Sequence, residues 1–263
     1  MSHARAPADP TQILVALDNS PDGLAALEAA VEWALAMPGE LRGLFIEDDN
    51  LLRAAGLPFT HEVELHSAQR GPLTVDGLQR RLTSMAAQLR QALADAARRA
   101  QVNWSFTVAR GPVCRVTLEQ GRDADLIIIG RHSLAPRVRT TRPPRPHSSP
   151  VLALVDESPA ASHVLQRATA LAQQRHATLE IYLAVSSRSA VAPLQTVIVS
   201  EMTRCGWAGH VFPTPVTTPD ELLAVARRRR PQLILLPTHS PLLDEALLET
   251  LVAQQDCPVA LCR

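Results

Sequence analysis

Val15-Ala16-Leu17-Asp18-Asn19-Ser20-Pro21 returns as Ala153-Leu154-Val155-Asp156-Glu157-Ser158-Pro159, an offset of 138 residues from Asp18 to Asp156. In each copy a short apolar run ends on Asp, and Ser-Pro then opens a helical pattern. The next apolar runs, residues 41–46 and 179–185, keep the same offset of 138. Further on, Trp104-Ser105-Phe106-Thr107-Val108 lines up with Trp207-Ala208-Gly209-His210-Val211 at 103. Asp125-Leu126-Ile127-Ile128-Ile129-Gly130-Arg131-His132-Ser133 lines up with Gln232-Leu233-Ile234-Leu235-Leu236-Pro237-Thr238-His239-Ser240 at 107. The offset falls by 35 between the second and third runs, so the first half carries extra chain at about 47–73.

The runs are continuously apolar rather than alternating, which fits parallel strands buried on both faces. Helical stripes separate them: Leu24, Leu27, Val31 and Leu35, then Leu78, Leu82, Met85, Leu89 and Leu93 along a helix over about 74–100. Strand alternating with helix implies βαβ crossovers. The expected fold class is α/β, with two tandem open parallel-sheet domains flanked by helices. The first, residues 1–134, holds strands near 12–18, 41–46, 104–109 and 125–130 in the order 3-2-1-4. A Pro/Arg-rich linker, 135–149, leads to a second, trimmed domain at 150–263, with strands near 151–156, 178–185, 208–213, 232–236 and 258–262.

Gly130 and Val151 are only 21 positions apart, too few and too rich in proline for a further helix and strand. The first domain therefore lacks its last helix and strand, and strand 125–129 becomes an edge with unpaired backbone groups. The expected cover is the second domain, the linker or another copy of the chain.

Composition removes several functions. All 26 basic residues are Arg, and the absence of Lys excludes a P-loop lysine, a Schiff base and a lysyl-adenylate. Aromatic content of 3% leaves little for base stacking, and a net charge of +0 argues against a general polyanion binder, so no nucleic-acid partner is expected. No apolar run reaches the ~20 residues of a membrane helix. The start has no apolar signal core, so the expected location is cytoplasmic and no membrane partner is expected. Cys114, Cys205, Cys257 and Cys262 are scattered as buried thiols would be.

Asp18 and Asp156 stand at the carboxyl end of a first strand, where open α/β sheets bind ligands. Ser20-Pro21 and Ser158-Pro159 read as helix starts, with Ser at the cap and Pro at the first position. His61-Glu62-Val63-Glu64-Leu65-His66 spaces its histidines five apart, about 140° off a shared helical face, so a solvated loop is expected and no metal. The acidic run Glu47-Asp48-Asp49 is expected to face water. His132 and His239 are equivalent after strand four but have no nucleophile and orienting acid near them. Arg137, Arg139, Arg142 and Arg145 alternate with linker prolines, a basic ribbon open to solvent or to an acidic partner. Arg227 to Arg230 close a helix with cations.

The order of elements, the Asp-x-Ser-Pro turns, Asp125-Leu126-Ile127-Ile128-Ile129-Gly130 and the closing Cys257-Pro258-Val259-Ala260-Leu261-Cys262 resemble a tandem universal stress protein over nearly the whole chain. The resemblance implies an adenine-nucleotide site at Asp18, Phe45, Ile46, Gly130 and Ser133. Its second-domain counterparts are Asp156, Val185 and Ser240. Members that bind ATP carry G-x2-G-x9-G-[ST] after strand four. Here those positions are Gly130, Ser133, Pro143 and Pro144, and then Pro237, Ser240, Thr250 and Leu251. Proline has no N–H to offer a phosphate. The expectation is a non-catalytic stress-response or regulatory binding protein with weak or lost ATP binding, no required cofactor and no catalytic residue. An ATP-using enzyme of the same fold group and a pure protein-interaction module are the alternatives.

Overall fold

The computed structural model describes residues 11–17, 21–36, 39–57, 61–63, 70–72, 74–130, 149–158, 160–185, 188–204, 206 and 210–263. In the first half, β1 (Thr11–Leu17), α1 (Pro21–Ala36), β2 (Gly39–Glu47), α2 (Asp49–Ala55), β3 (His61–Val63) and β4 (Arg70–Pro72) precede the long α3 (Val75–Ala100). Then come β5 (Asn103–Arg110), α4 (Val113–Gln120) and β6 (Leu126–Ile129). The second half runs β7 (Val151–Asp156), α5 (Ala161–Gln174), β8 (Leu179–Ala184), a 3-10 turn at Arg188–Ala190 and α6 (Val191–Arg204). It closes with β9 (His210–Val216), α7 (Pro219–Arg229), β10 (Leu233–Pro237), α8 (Glu245–Gln254) and β11 (Val259–Cys262).

Nine strands form one sheet in the order β5-β2-β1-β6-β11-β10-β7-β8-β9. All neighbours are parallel except β6 and β11, which pair antiparallel from Leu126↔Cys262 to Ile129↔Val259. The first half has the strand order 3-2-1-4. Among the described residues, no further strand of the first half follows β6, and β11 lies along that side of it.

Pairing tests the repeat residue by residue. Val15↔Gly43 and Ala153↔Ile181 preserve the offset of 138, and Val15↔Ile128 and Ala153↔Leu235 preserve 107. The β5/β9 alignment needs correction. Arg42↔Ser105 corresponds to Glu180↔His210, an offset of 105 rather than 103. Trp207 was the wrong anchor; β9 carries prolines at 213 and 215, and its register with β8 shifts between Tyr182 and Leu183.

Helices α1, α2, α3, α5 and α6 cover one face of the sheet, and α4, α7 and α8 the other. Alternate residues of each strand feed the two layers: Ile13, Val15 and Leu17 of β1 point into one, Leu14 and Ala16 into the other. The α3 stripe is buried as expected at Leu78, Leu82, Leu89 and Leu93. The α1 stripe holds at Leu27 but not at its ends, since Leu24 is 45% and Leu35 60% exposed. Ala26, Ala30, Trp33 and Ala34 face the sheet beside Leu27. The small residues at spacing four let the helix lie close to the strands, with Trp33 filling the remaining depth.

The extra chain of the first half also departs from expectation. Residues 61–63 form a strand paired antiparallel with β4 rather than a loop. Asp48 is buried, and its side chain caps α2 by accepting from the Asn50 N–H at 2.8 Å. An acidic residue that reads as solvent-facing thus starts a helix, because four N–H groups there lack partners.

Candidate functional site

β1 is the strand where the order of the first half reverses, with β2 on one side and β6 on the other. Such a switch point opens a crevice beyond the carboxyl ends of the strands. Leu17 ends β1 with Phe45 paired beside it. Ile129 pairs with Ala16, so Gly130 follows next to Leu17 on the opposite side. Phe45, Ile46 and Gly130 are all buried. The chain therefore brings these three together around the end of β1. Asp18 and Ser133, the two polar members of the expected set, lie outside the described residues, as do the linker arginines, His132 and Cys205. Beside the crevice, the Arg110 guanidinium donates to Glu47 at 2.7 and 3.2 Å, and the Gly111 N–H donates to the Glu47 carbonyl at 3.1 Å. This pairing raises the Arg110 pKa above its ordinary value.

The second half builds the corresponding place from β7, β8 and β10. Asp156 ends β7 beside Ala184 of β8, with Val185 one residue beyond. β10 runs along the other side of β7, and Ser240 follows three residues after its end. Asp156 is 2% exposed and Ser240 4%. Asp156 Oδ1 accepts from the Ser158 backbone N–H at 3.0 Å and from the Ser158 hydroxyl. Among the described residues, Asp156 Oδ2 and Ser240 Oγ have no hydrogen-bond partner.

That geometry corrects the reading of Ser158 as a helix cap. Helix α5 begins at Ala161 with Ala160 at its cap position and no side-chain cap bond. Ser158 instead clamps the carboxylate, because a charged acceptor attracts a hydroxyl donor more strongly than a carbonyl would. In the first half α1 does begin on proline, at Pro21.

Backbone donors around Ser240 are mostly committed. The Thr238 N–H donates to the Cys262 carbonyl at 2.7 Å, and the Ser240 N–H to the Pro237 carbonyl at 3.2 Å. Pro237 and Pro241 have none to give. The third glycine pair of the ATP motif falls at Thr250 and Leu251, inside α8, where Leu251 is fully buried. Among the described residues, this half offers a carboxylate and a hydroxyl at the crevice.

Residues 10–140 match the Universal stress protein family. The first half thus carries a universal stress protein domain. No curated protein matches the sequence. A universal stress protein from Archaeoglobus fulgidus is 14% identical, with 96% of each chain covered and a TM-score of 0.54, which extends the fold likeness over both halves. A putative universal stress protein from Pseudomonas aeruginosa is 15% identical, covering 97% of this chain and 93% of its own, at a TM-score of 0.47. Another from Archaeoglobus fulgidus, in complex with dAMP, is 16% identical and covers 43% of this chain and 97% of its own, at a TM-score of 0.35.

The remaining candidates make no site. Among the described residues no three His, Cys, Asp or Glu side chains gather as a metal would require, and no helix is long and apolar enough to cross a membrane. His239 is exposed. Cys114 and Cys262 are buried, and burial pushes their thiols up to about 12 and about 11. A thiol so far from ionising is a packing group, not a nucleophile.

Sequence reasoning missed one polar cluster. Glu180 of β8 is buried and accepts from Arg229 Nε at 2.7 Å and from Arg229 Nη2. The same guanidinium lies 5.6 Å from the centre of the Phe212 ring, which stacks on Tyr182 at 4.7 Å. The one available signal was a glutamate inside an otherwise apolar strand, which requires a cation from a neighbouring element.

Proposed function

We propose that the protein is a non-catalytic, universal-stress-type binding protein of two such units, acting in stress response or regulation in the cytoplasm, with weak or lost ATP binding. The first unit spans 1–134 with its insertion at about 47–73; the second, 150–263, follows the linker 135–149. The observation that supports this reading is the commitment of the backbone donors after β10 to the protein itself. In the second half the N–H groups of Thr238 and Ser240 are spent on carbonyls of the protein itself. Two prolines flank them, and α8 fills the place of the third glycine pair. Backbone donors aimed at a ligand are what an anion site needs. Whatever adenine-nucleotide affinity persists belongs to Asp18, Phe45, Ile46, Gly130 and Ser133 of the first half. Asp156, Val185 and Ser240 add none for a phosphate.

Calorimetric titration of the purified chain with ATP and magnesium tests the proposal. The expected result is no saturable heat in the low-micromolar range and no release of phosphate on incubation. A dissociation constant at or below about 1 μM, worth roughly 8 kcal/mol, would overturn it. Steady ATP turnover would establish the enzyme reading instead.

A further inference from the structure

The nine-stranded sheet ends on β5 at one side and on β9 at the other, and the two edges are finished differently. β9 carries Pro213 and Pro215, and its register with β8 shifts between Tyr182 and Leu183. Prolines and irregular register deny an incoming strand its hydrogen bonds. β5 has neither device. Its residues follow β2 in unbroken register, from Glu40↔Asn103 to Glu47↔Arg110. From Asn103 to Ala109 it has no proline, no glycine and no charge. Among the described residues β5 pairs with no strand but β2.

The open groups of β5 follow from its ladder. The Gly111 N–H donates to the Glu47 carbonyl of β2 at 3.1 Å. Backbone groups alternate along a strand, so those of Asn103, Ser105, Thr107 and Ala109 also turn toward β2. The N–H and C=O groups of Trp104, Phe106 and Val108 then face outward. Side chains alternate as well. Trp104 and Phe106 lie half-buried against the layer that holds α3, and Val108 is 48% exposed. Ser105 and Thr107, exposed, belong to the opposite face.

About Phe106 the strand is self-complementary. A two-fold axis normal to the sheet at Phe106 sets a second β5 antiparallel to the first. Phe106 then faces Phe106 of the other copy, Trp104 faces Val108, and Ser105 faces Thr107. Aromatic residues meet aromatic or β-branched ones and hydroxyls meet hydroxyls, pairs that stabilise antiparallel strands. The outward-facing residues fall at the positions that exchange both hydrogen bonds. The nearest charge, Arg110, is held by Glu47 at 2.7 Å and falls opposite Val102, so no like charges meet. We propose that a second copy of this chain docks here, β5 to β5, making a two-fold dimer with one continuous sheet. Both copies use the same edge and the β9 edges are blunted, so assembly stops at two. The paired stretch, Asn103 to Ala109, spans about 23 Å, and a sheet with one helix layer is about 20 Å deep. The footprint, about 900 Å² over both copies, lies at the weak end of specific interfaces. The expected dissociation constant is on the order of 10 μM.

Sedimentation of the full chain between about 1 and about 200 μM tests the proposal, with the mass expected to rise from one chain toward two. Thr107→Arg and Ser105→Glu each place like charges about 7 Å apart across the axis, and each is expected to weaken dimerisation about fivefold. Both positions are exposed, so melting temperatures at about 1 μM are expected to stay within about 2 °C of the parent. Mixed in equal amounts, the two variants are expected to recover dimerisation, because the arginine introduced in one chain then faces the glutamate introduced in the other. Val108→Pro removes an outward N–H and no bond to β2; with one bond lost per copy, affinity is expected to fall about tenfold. A mass of one chain throughout, growth past two chains, a dimer indifferent to Thr107→Arg, or a mixture no tighter than its components would each overturn the proposal.

Discussion

Arg229→Ala removes the cation from a buried carboxylate. Glu180 is 4% exposed and loses both donors of the guanidinium. The Tyr182 hydroxyl, at 3.4 Å, is too long for a sound O–H···O bond. Stripping one partner from a fully buried ion pair costs about 3–5 kcal/mol. The Arg229 side chain is 39% exposed, which lowers the expected cost to about 2–3 kcal/mol. The lost contact with Phe212 adds about 0.5–1 kcal/mol. At about 2–4 °C per kcal/mol for a chain near this size, the melting temperature is expected to fall by roughly 10 °C. Glu180→Leu combined with Arg229→Leu removes the charge with its partner and is expected to recover most of that loss. Urea unfolding of the two single variants and the double variant gives the coupling energy, expected to exceed about 2 kcal/mol. Were Arg229→Ala to cost less than about 1 kcal/mol, the value of an exposed ion pair, the reasoning would fail: Glu180 would be finding solvent when its partner leaves.

Gly121 ends α4 where a Cβ would stand 2.4 Å from Ile127 Cδ1 and 2.9 Å from the Thr117 carbonyl. Gly121→Ala is expected to destabilise by about 1–3 kcal/mol through overpacking against β6, read as a drop in urea midpoint. The buried thiols predict an alkaline limit. Their folded pKa values stand above the ordinary 9.0, so the stability they contribute is complete below pH 9 and is lost as pH rises toward 11–12. At pH 10 each thiol contributes a loss of about 1 kcal/mol, and Cys114→Ala should flatten the drop in urea midpoint between pH 8 and pH 10.

Strand positions were legible because parallel strands buried on both faces announce themselves as unbroken apolar runs, as at 126–129 and 233–236. The repeat was legible where its sequence is dense in such residues, and pairing confirms offsets of 138 and 107. It misled where the anchor was a lone tryptophan beside prolines, shifting β9 by two residues. Helix faces were harder. The α1 stripe was read from large residues, whereas alanines and Trp33 set the contact. Within the site, the resemblance named Phe45, Ile46, Gly130, Asp156 and Val185, and strand register in the structure sets the first three around the end of β1 and the last two at the end of β7. What sequence could not show is the local competition for hydrogen bonds: Ser158 turning from helix to carboxylate, or Thr238 spending its N–H on the last strand.

The apolar interior is divided by the sheet rather than by the two halves of the chain. One layer joins Ile13, Trp33 and Leu93 to Ala153, Leu171 and Ile198; the other joins Leu14 and Ile127 to Leu154, Leu236 and Leu251. Each layer is therefore assembled from both copies of the repeat. A repeat that is plain in the letters of the sequence is not matched by a division of the interior, so loosening one half exposes apolar surface of the other. A substitution in either half therefore has to suit neighbours contributed by the other, so the packing of each half constrains what the other can carry.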